Sequence, residues 1–158
     1  MANKKLTFSN LKSLSSKKFT QKKIIVDGYE VTIDEQFRPS KIKQLVLELL
    51  QKSNYMREQN IEFNLADYVV ILIIKYFSDV DISDDLQKQL QAYEALIDLE
   101  YLEPILNAFD ENEIKKFNES LLKYKDNMNK LLDEMVTETE NDESEEIVQV
   151  DEIESIEE

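Results

Sequence analysis

Gly28 is the only glycine in this chain of 158 residues, and Pro39 and Pro104 are its only prolines. Tight turns draw on those two residue types, because glycine reaches positive φ without strain and proline presets the turn geometry. A strand-rich domain needs many such turns, so the chain is directed towards long helices and few hairpins. Its length suits one compact domain plus tails, and a 42% hydrophobic content is enough for a core.

The one glycine sits in the clearest local signal, KKIIVDGYEVTID. Asp27-Gly28 is a favoured pair for a two-residue type I′ turn, where both residues need positive φ. The flanking runs are rich in β-branched residues, which predicts a hairpin over about Lys22–Ile33. Ile24 and Val26 share one face of the first strand, and Tyr29, Val31 and Ile33 one face of the second. Two strands alone are marginal, so the hairpin must pack on helices or extend a sheet in another copy.

After Pro39 the pattern is helical throughout. Ser40 is the expected cap of a helix reaching Glu58, with Ile42, Leu45, Val46, Leu49 and Leu50 in one stripe. Asn64 caps the next helix, Leu65–Phe77, which is apolar nearly all round and is therefore expected at the centre. Ser83 is expected to cap a helix carrying Leu86, Leu90, Tyr93, Leu96 and Ile97. A short helical piece follows around Tyr101–Ala108, with Pro104 in its first turn or at a kink. The last helix opens with Asp110 as cap and Glu113 as reciprocal partner. Ile114, Phe117, Leu121, Tyr124, Met128, Leu131 and Met135 then recur in steps of three and four, a heptad seam. Either the seam lies on the protein's own core, or its second half pairs with another chain as a coiled coil.

The net charge of −15 conceals a strong asymmetry. Met1–Val26 holds seven lysines and no acid, whereas from Asp133 onwards there are 13 acidic residues and no Lys or Arg. Outside that acidic stretch 21 acids face 19 bases. The chain thus has a basic flexible leader (residues 1–19), a nearly neutral body of hairpin plus helices (20–136) and an acidic tail expected to be disordered (137–158). The fold class read from this is mainly α: a bundle of about four to five helices with an N-terminal β-hairpin. In the leader, Leu6, Phe8, Leu11, Leu14 and Phe19 are able to dock on the body or on a partner. A solvated terminus is the plainer reading.

Several chemistries are excluded or disfavoured. With no cysteine and no histidine, a disulfide, a thiol nucleophile, a Cys/His zinc site and a histidine base are impossible. One glycine cannot build a phosphate-binding loop. DVDISDD has alternating acidic spacing, but an EF-hand loop needs glycine at its sixth position and glutamate at its twelfth, where this chain has Asp84 and Leu90. No cofactor, metal or enzymatic activity is expected. The seven leader lysines suit phosphates, yet they lack arginine and compete with the acidic tail, so nucleic acid is not the expected partner. Mimicry of DNA is disfavoured because the acidic excess is not spread over the body. The most apolar run, Val69–Ile74, is too short to span a bilayer, and the N-terminus lacks the apolar centre of a signal peptide. No membrane association is expected, and a cytoplasmic location is the default.

The acidic tail carries Ile147, Val148, Val150, Ile153 and Ile156. Solubilisation alone explains the charge but not these five β-branched residues. Acidic segments with spaced apolar anchors fold onto partners, with charge steering the encounter and apolar contacts holding it. A basic partner, an aggregation-prone one, or the basic leader of another copy would suit. The expected protein-binding residues are these five together with Tyr124, Met128, Leu131 and Met135.

The order and character of KKIIVDGYEVTIDEQFRPSKIKQLVLELLQ, ADYVVILIIKYF, LQAYEALIDLEYLEPILNAFDENEIKKF and the acidic tail resemble the small tail assembly chaperones of long-tailed bacteriophages, especially those of Gram-positive hosts. The resemblance covers roughly residues 20–135. It is one of pattern, with no residue-level binding motif to carry over. It implies a non-enzymatic viral protein of the host cytoplasm. Such a protein coats the long helical tape measure protein, brings tail tube subunits to it, and leaves before the virion is finished. It also implies a longer form made by ribosomal frameshifting. The alternative is a structural or adaptor protein that stays in a virion or similar assembly and docks through its leader and tail.

Overall fold

The computed structural model of the chain describes the backbone of residues 3–156 and the side chains of residues 3–131, 133 and 134. The elements in order are α1 (Phe8–Lys18), β1 (Gln21–Val26), β2 (Tyr29–Asp34), α2 (Pro39–Glu58), α3 (Leu65–Phe77), α4 (Leu86–Asp98), α5 (Leu102–Ala108) and α6 (Glu111–Ile156). They fall into two compact units, Met1–Asn118 and Glu119–Glu158. The class is mainly α with an N-terminal hairpin, as expected, and α1 brings the described helices to six.

The hairpin forms where the turn signal lies. β1 and β2 pair antiparallel, with Val26 opposite Tyr29 and Gln21 opposite Asp34. Asp27 has φ 50 and Gly28 φ 82, both positive as a type I′ turn requires. Val26, Val31 and Ile33 are buried, while Tyr29, beside the turn, is exposed. The free edge of β2 is extended by the segment after α3. Ile33 bridges to Ser78, the Asp79 N–H donates to the Thr32 carbonyl at 3.0 Å, and the Thr32 N–H donates to Asp79 Oδ1 at 2.8 Å. The hairpin is thereby fastened to the helices, which a two-stranded sheet needs.

α3 is the central helix of the first unit: Tyr68, Ile71, Leu72, Ile73, Ile74 and Phe77 are all buried. A fully buried side chain of this size contributes about 1.5–3 kcal/mol relative to exposure. α2 packs against α3 through Ile42, Leu45, Val46 and Met56. Phe37 stacks on Phe77 with ring centroids 3.8 Å apart and meets Phe109 edge-on at 5.6 Å. Ile105 and Phe117 close the core.

Several local expectations are corrected. The leader contains a helix: Thr7 caps α1 by accepting from the Asn10 N–H. α2 begins with Pro39 at its first position after Arg38, so Ser40 lies inside the helix and does not cap it. This is the place proline favours, because its missing N–H would be unpaired there anyway. Asp85, not Ser83, caps α4, accepting from the Lys88 N–H at 3.0 Å. Glu113 does not close a capping box. It accepts the Phe37 N–H at 2.9 Å, satisfying the backbone of a residue 76 positions away. The buried side of α4 carries Leu86, Gln89 and Leu96, while Ile97 is exposed. The helix is turned to bring Gln89 inward.

No glycine or proline follows Pro104, so nothing local halts a helix after Glu111. The residues read as an acidic tail enter the structure as the backbone continuation of α6 to Ile156.

Candidate protein-interaction surfaces

The residues singled out for binding fall into two groups. Along α6, Tyr124 and Met128 are half-exposed and Leu131 is 53% exposed. Leu122, off the heptad seam, is 61% exposed and adds to the apolar character of that helix. The side chains of Met135, Ile147, Val148, Val150, Ile153 and Ile156 lie outside those described. Their positions are on α6 by backbone alone.

A second apolar surface lies on α1. Leu6, Phe8, Leu11 and Leu14 are exposed, at 51–76%, and α1 buries none of its residues. Its C-terminal end is held by Arg38, which donates to Ser15 Oγ at 2.8 Å and lies over the Phe19 ring at 4.7 Å. A third surface is an open groove of about 710 Å³ lined by Ile97, Leu102, Pro104 and Leu106 with Glu100, Glu103 and Asn107. Its lining is mainly aliphatic, with two carboxylates, Glu100 and Glu103.

The most concentrated polar chemistry is a cluster that sequence reasoning missed. Glu48 of α2 accepts from Lys75 at 2.7 Å, from the Tyr76 hydroxyl, and from Gln89 Nε2 at 2.7 Å. Gln89 also donates to the Ser83 carbonyl at 2.8 Å and accepts from the Tyr68 hydroxyl at 2.7 Å. Lys75 reaches on to Asp84. Burial pushes the Glu48 carboxyl up, but hydrogen bonds from Lys75, Tyr76 and Gln89 outweigh it and hold its pKa below the usual value. Burial pulls Lys75 down, but Asp84 and Glu48 outweigh it and raise its pKa. Burial first, and the Glu48 charge after it, raises Tyr68 and Tyr76. Among the described residues no buried side-chain polar atom lacks a partner. A fully paired cluster of this kind fastens α2, α3 and α4 together. A lone acid in LVLELL and a lone base in ILIIKYF were its only sequence signal.

Three of the four aspartates of DVDISDD are likewise occupied: Asp79 by Thr32, Asp84 by Lys75 and Asp85 by the start of α4. No group of three or more His, Cys, Asp or Glu among the described residues is arranged to hold a metal ion. No described helix is long and apolar enough to cross a membrane.

A family model described as YomO matches residues 8–157, nearly the whole chain. The chain belongs to the YomO family. The matched span takes in α1, the hairpin, the helical core and α6. A YomO relative, the SPbeta prophage-derived uncharacterized protein YomO of Bacillus subtilis (strain 168), is 28% identical over 124 residues. The aligned part is 76% of this chain and 75% of the relative. Family and relative together indicate a phage-derived protein. No solved structure matches this YomO chain.

Proposed function

We propose that this protein is a non-enzymatic tail assembly chaperone, acting in the host cytoplasm on an aggregation-prone helical partner such as the tape measure protein and on tail tube subunits. The observation that carries this reading is α6, a 46-residue helix with exposed Leu122 and Leu131 that runs on into the acidic segment. Such a helix offers apolar contact to a helical partner, while its charge keeps the complex soluble. The YomO family match and the prophage-derived relative support a phage setting. The paired state of the Glu48 cluster gives that site a structural role, so nothing in it calls for a substrate.

The test is a pull-down from native phage-producing lysate with the full chain and with a chain ending at Thr137, together with mass spectrometry of finished particles. Recovery of a long helical protein by the full chain alone, and absence of this protein from particles, is the expected result. Equal recovery by both forms moves the binding surface to α1 or the body. Presence in finished particles overturns the chaperone reading in favour of a structural or adaptor protein.

A further inference from the structure

α1 is a basic helix with an uncovered apolar stripe. Phe8, Leu11 and Leu14 recur every three residues and are 76%, 51% and 57% exposed. Lys4, Lys5, Lys12, Lys17 and Lys18 surround them, with no acid before Asp27. A helix of 11 residues is too short to be stable in water through its own hydrogen bonds, so it gains most from a surface that covers the stripe.

The chain carries a segment complementary to it in both respects. Residues 138–158 hold eleven acids and no Lys or Arg. Ile147, Val150 and Ile153 repeat the three-residue spacing of Phe8, Leu11 and Leu14, on backbone that is helical to Ile156. At a rise of about 1.5 Å per residue, each row is about 9 Å long, so one can cover the other. We propose that the acidic end of α6 in one copy docks on α1 of a second copy. Charge complementarity selects this occupant over a nucleic acid or an acidic bilayer, because the segment is present in the same amount as α1 and brings matching apolar contacts. Contact within one copy is the competing arrangement, and it would leave the chain monomeric. Reciprocal exchange between two copies satisfies both helices and closes the assembly as a dimer.

The inference goes beyond the chaperone reading, and its test uses the purified chain alone. Sedimentation velocity across a concentration series is expected to show a dimer at low salt that dissociates towards monomer near about 1 M salt, where the screening length falls to about 3 Å. A full chain carrying Lys5→Glu, Lys12→Glu and Lys17→Glu, and a chain ending at Thr137, are each expected to be monomeric. Their equimolar mixture should dimerise, since one still has the acidic end and the other an intact α1. A monomeric parent chain, dimers that persist in either variant, or a mixture that stays monomeric overturns the proposal. Should the charge reversals unfold α1 by circular dichroism, the absence of native cysteine permits a second test. Differently tagged Leu14→Cys and Ile153→Cys chains are oxidised together, and a disulfide between the two tags is expected. If the linkage forms only within a chain carrying both cysteines, the contact is intramolecular and the proposal fails.

Discussion

Asp27, Asn60 and Glu100 are the non-glycine residues with left-handed backbone among those described, at φ 50, 52 and 60. The first shares its turn with Gly28, and the other two end helices. After α2 the Ile61 N–H reaches back to the Met56 carbonyl at 2.8 Å, and after α4 the Tyr101 N–H reaches the Leu96 carbonyl at 2.9 Å. Both are Schellman endings, which place asparagine and glutamate where glycine is usual. Asparagine tolerates that conformation, whereas glutamate does not gain from it. Glu100→Gly should therefore stabilise the fold by about 0.5–1 kcal/mol, the relief of strain exceeding the added chain entropy. A rise of about 2–4 °C in the thermal midpoint would show it. Gly28→Ala should act in the opposite sense. A Cβ there meets nothing within 4 Å, so the expected loss of about 1 kcal/mol in a urea titration comes from the positive φ alone.

Between elements, the decisive contacts are polar ones joining distant segments. Lys75 bridges Glu48 of α2 to Asp84 ahead of α4, and Gln89 joins Glu48 from α4. Breaking a buried pair by removing one partner typically costs roughly 3–5 kcal/mol. Lys75 keeps Asp84 when Glu48 is neutralised, so Glu48→Gln should cost about 2–3 kcal/mol, read from the denaturant midpoint at neutral pH. The pH dependence has a definite sign. The Glu48 pKa is lower folded than its ordinary 4.5, so its contribution is complete above that value and is lost as pH falls through the folded pKa. Thermal melts of the parent chain should weaken with acidification below about pH 4.5, and the Glu48→Gln chain should show a shallower decline. The Lys75 pKa is raised, so its contribution is complete below the ordinary 10.5 and is lost only as pH rises beyond that.

At the scale of the whole molecule, every buried apolar side chain among the described residues lies between Val26 and Phe117. That described core draws on residues of the first unit alone. A chain ending at Thr137 should keep the main calorimetric transition of the full chain within about 2–4 °C, the shift expected for a change no larger than 1 kcal/mol. A large drop in midpoint would assign the acidic end a part in stability that the described core does not require. Stability and partner binding are then expected to be separable, as the proposed chaperone role requires.

Features that depend on near neighbours were legible in the residues themselves. Asp27-Gly28 specified the hairpin turn, Asn64 the start of α3, and the apolar run of α3 its central place, because turn φ, caps and helical periodicity are decided within a few positions. The opposite charges of the two ends were legible for the same reason, as composition needs no partner. Tertiary structure alone decided the rest. Glu113 left its own helix cap for the Phe37 N–H, Asp79 joined the edge of β2 at Thr32, and α4 turned Gln89 inward to meet Glu48. These residues lie 76, 47 and 41 positions from their partners. A buried polar group must be paired wherever the fold places a partner, and no local pattern records where that is.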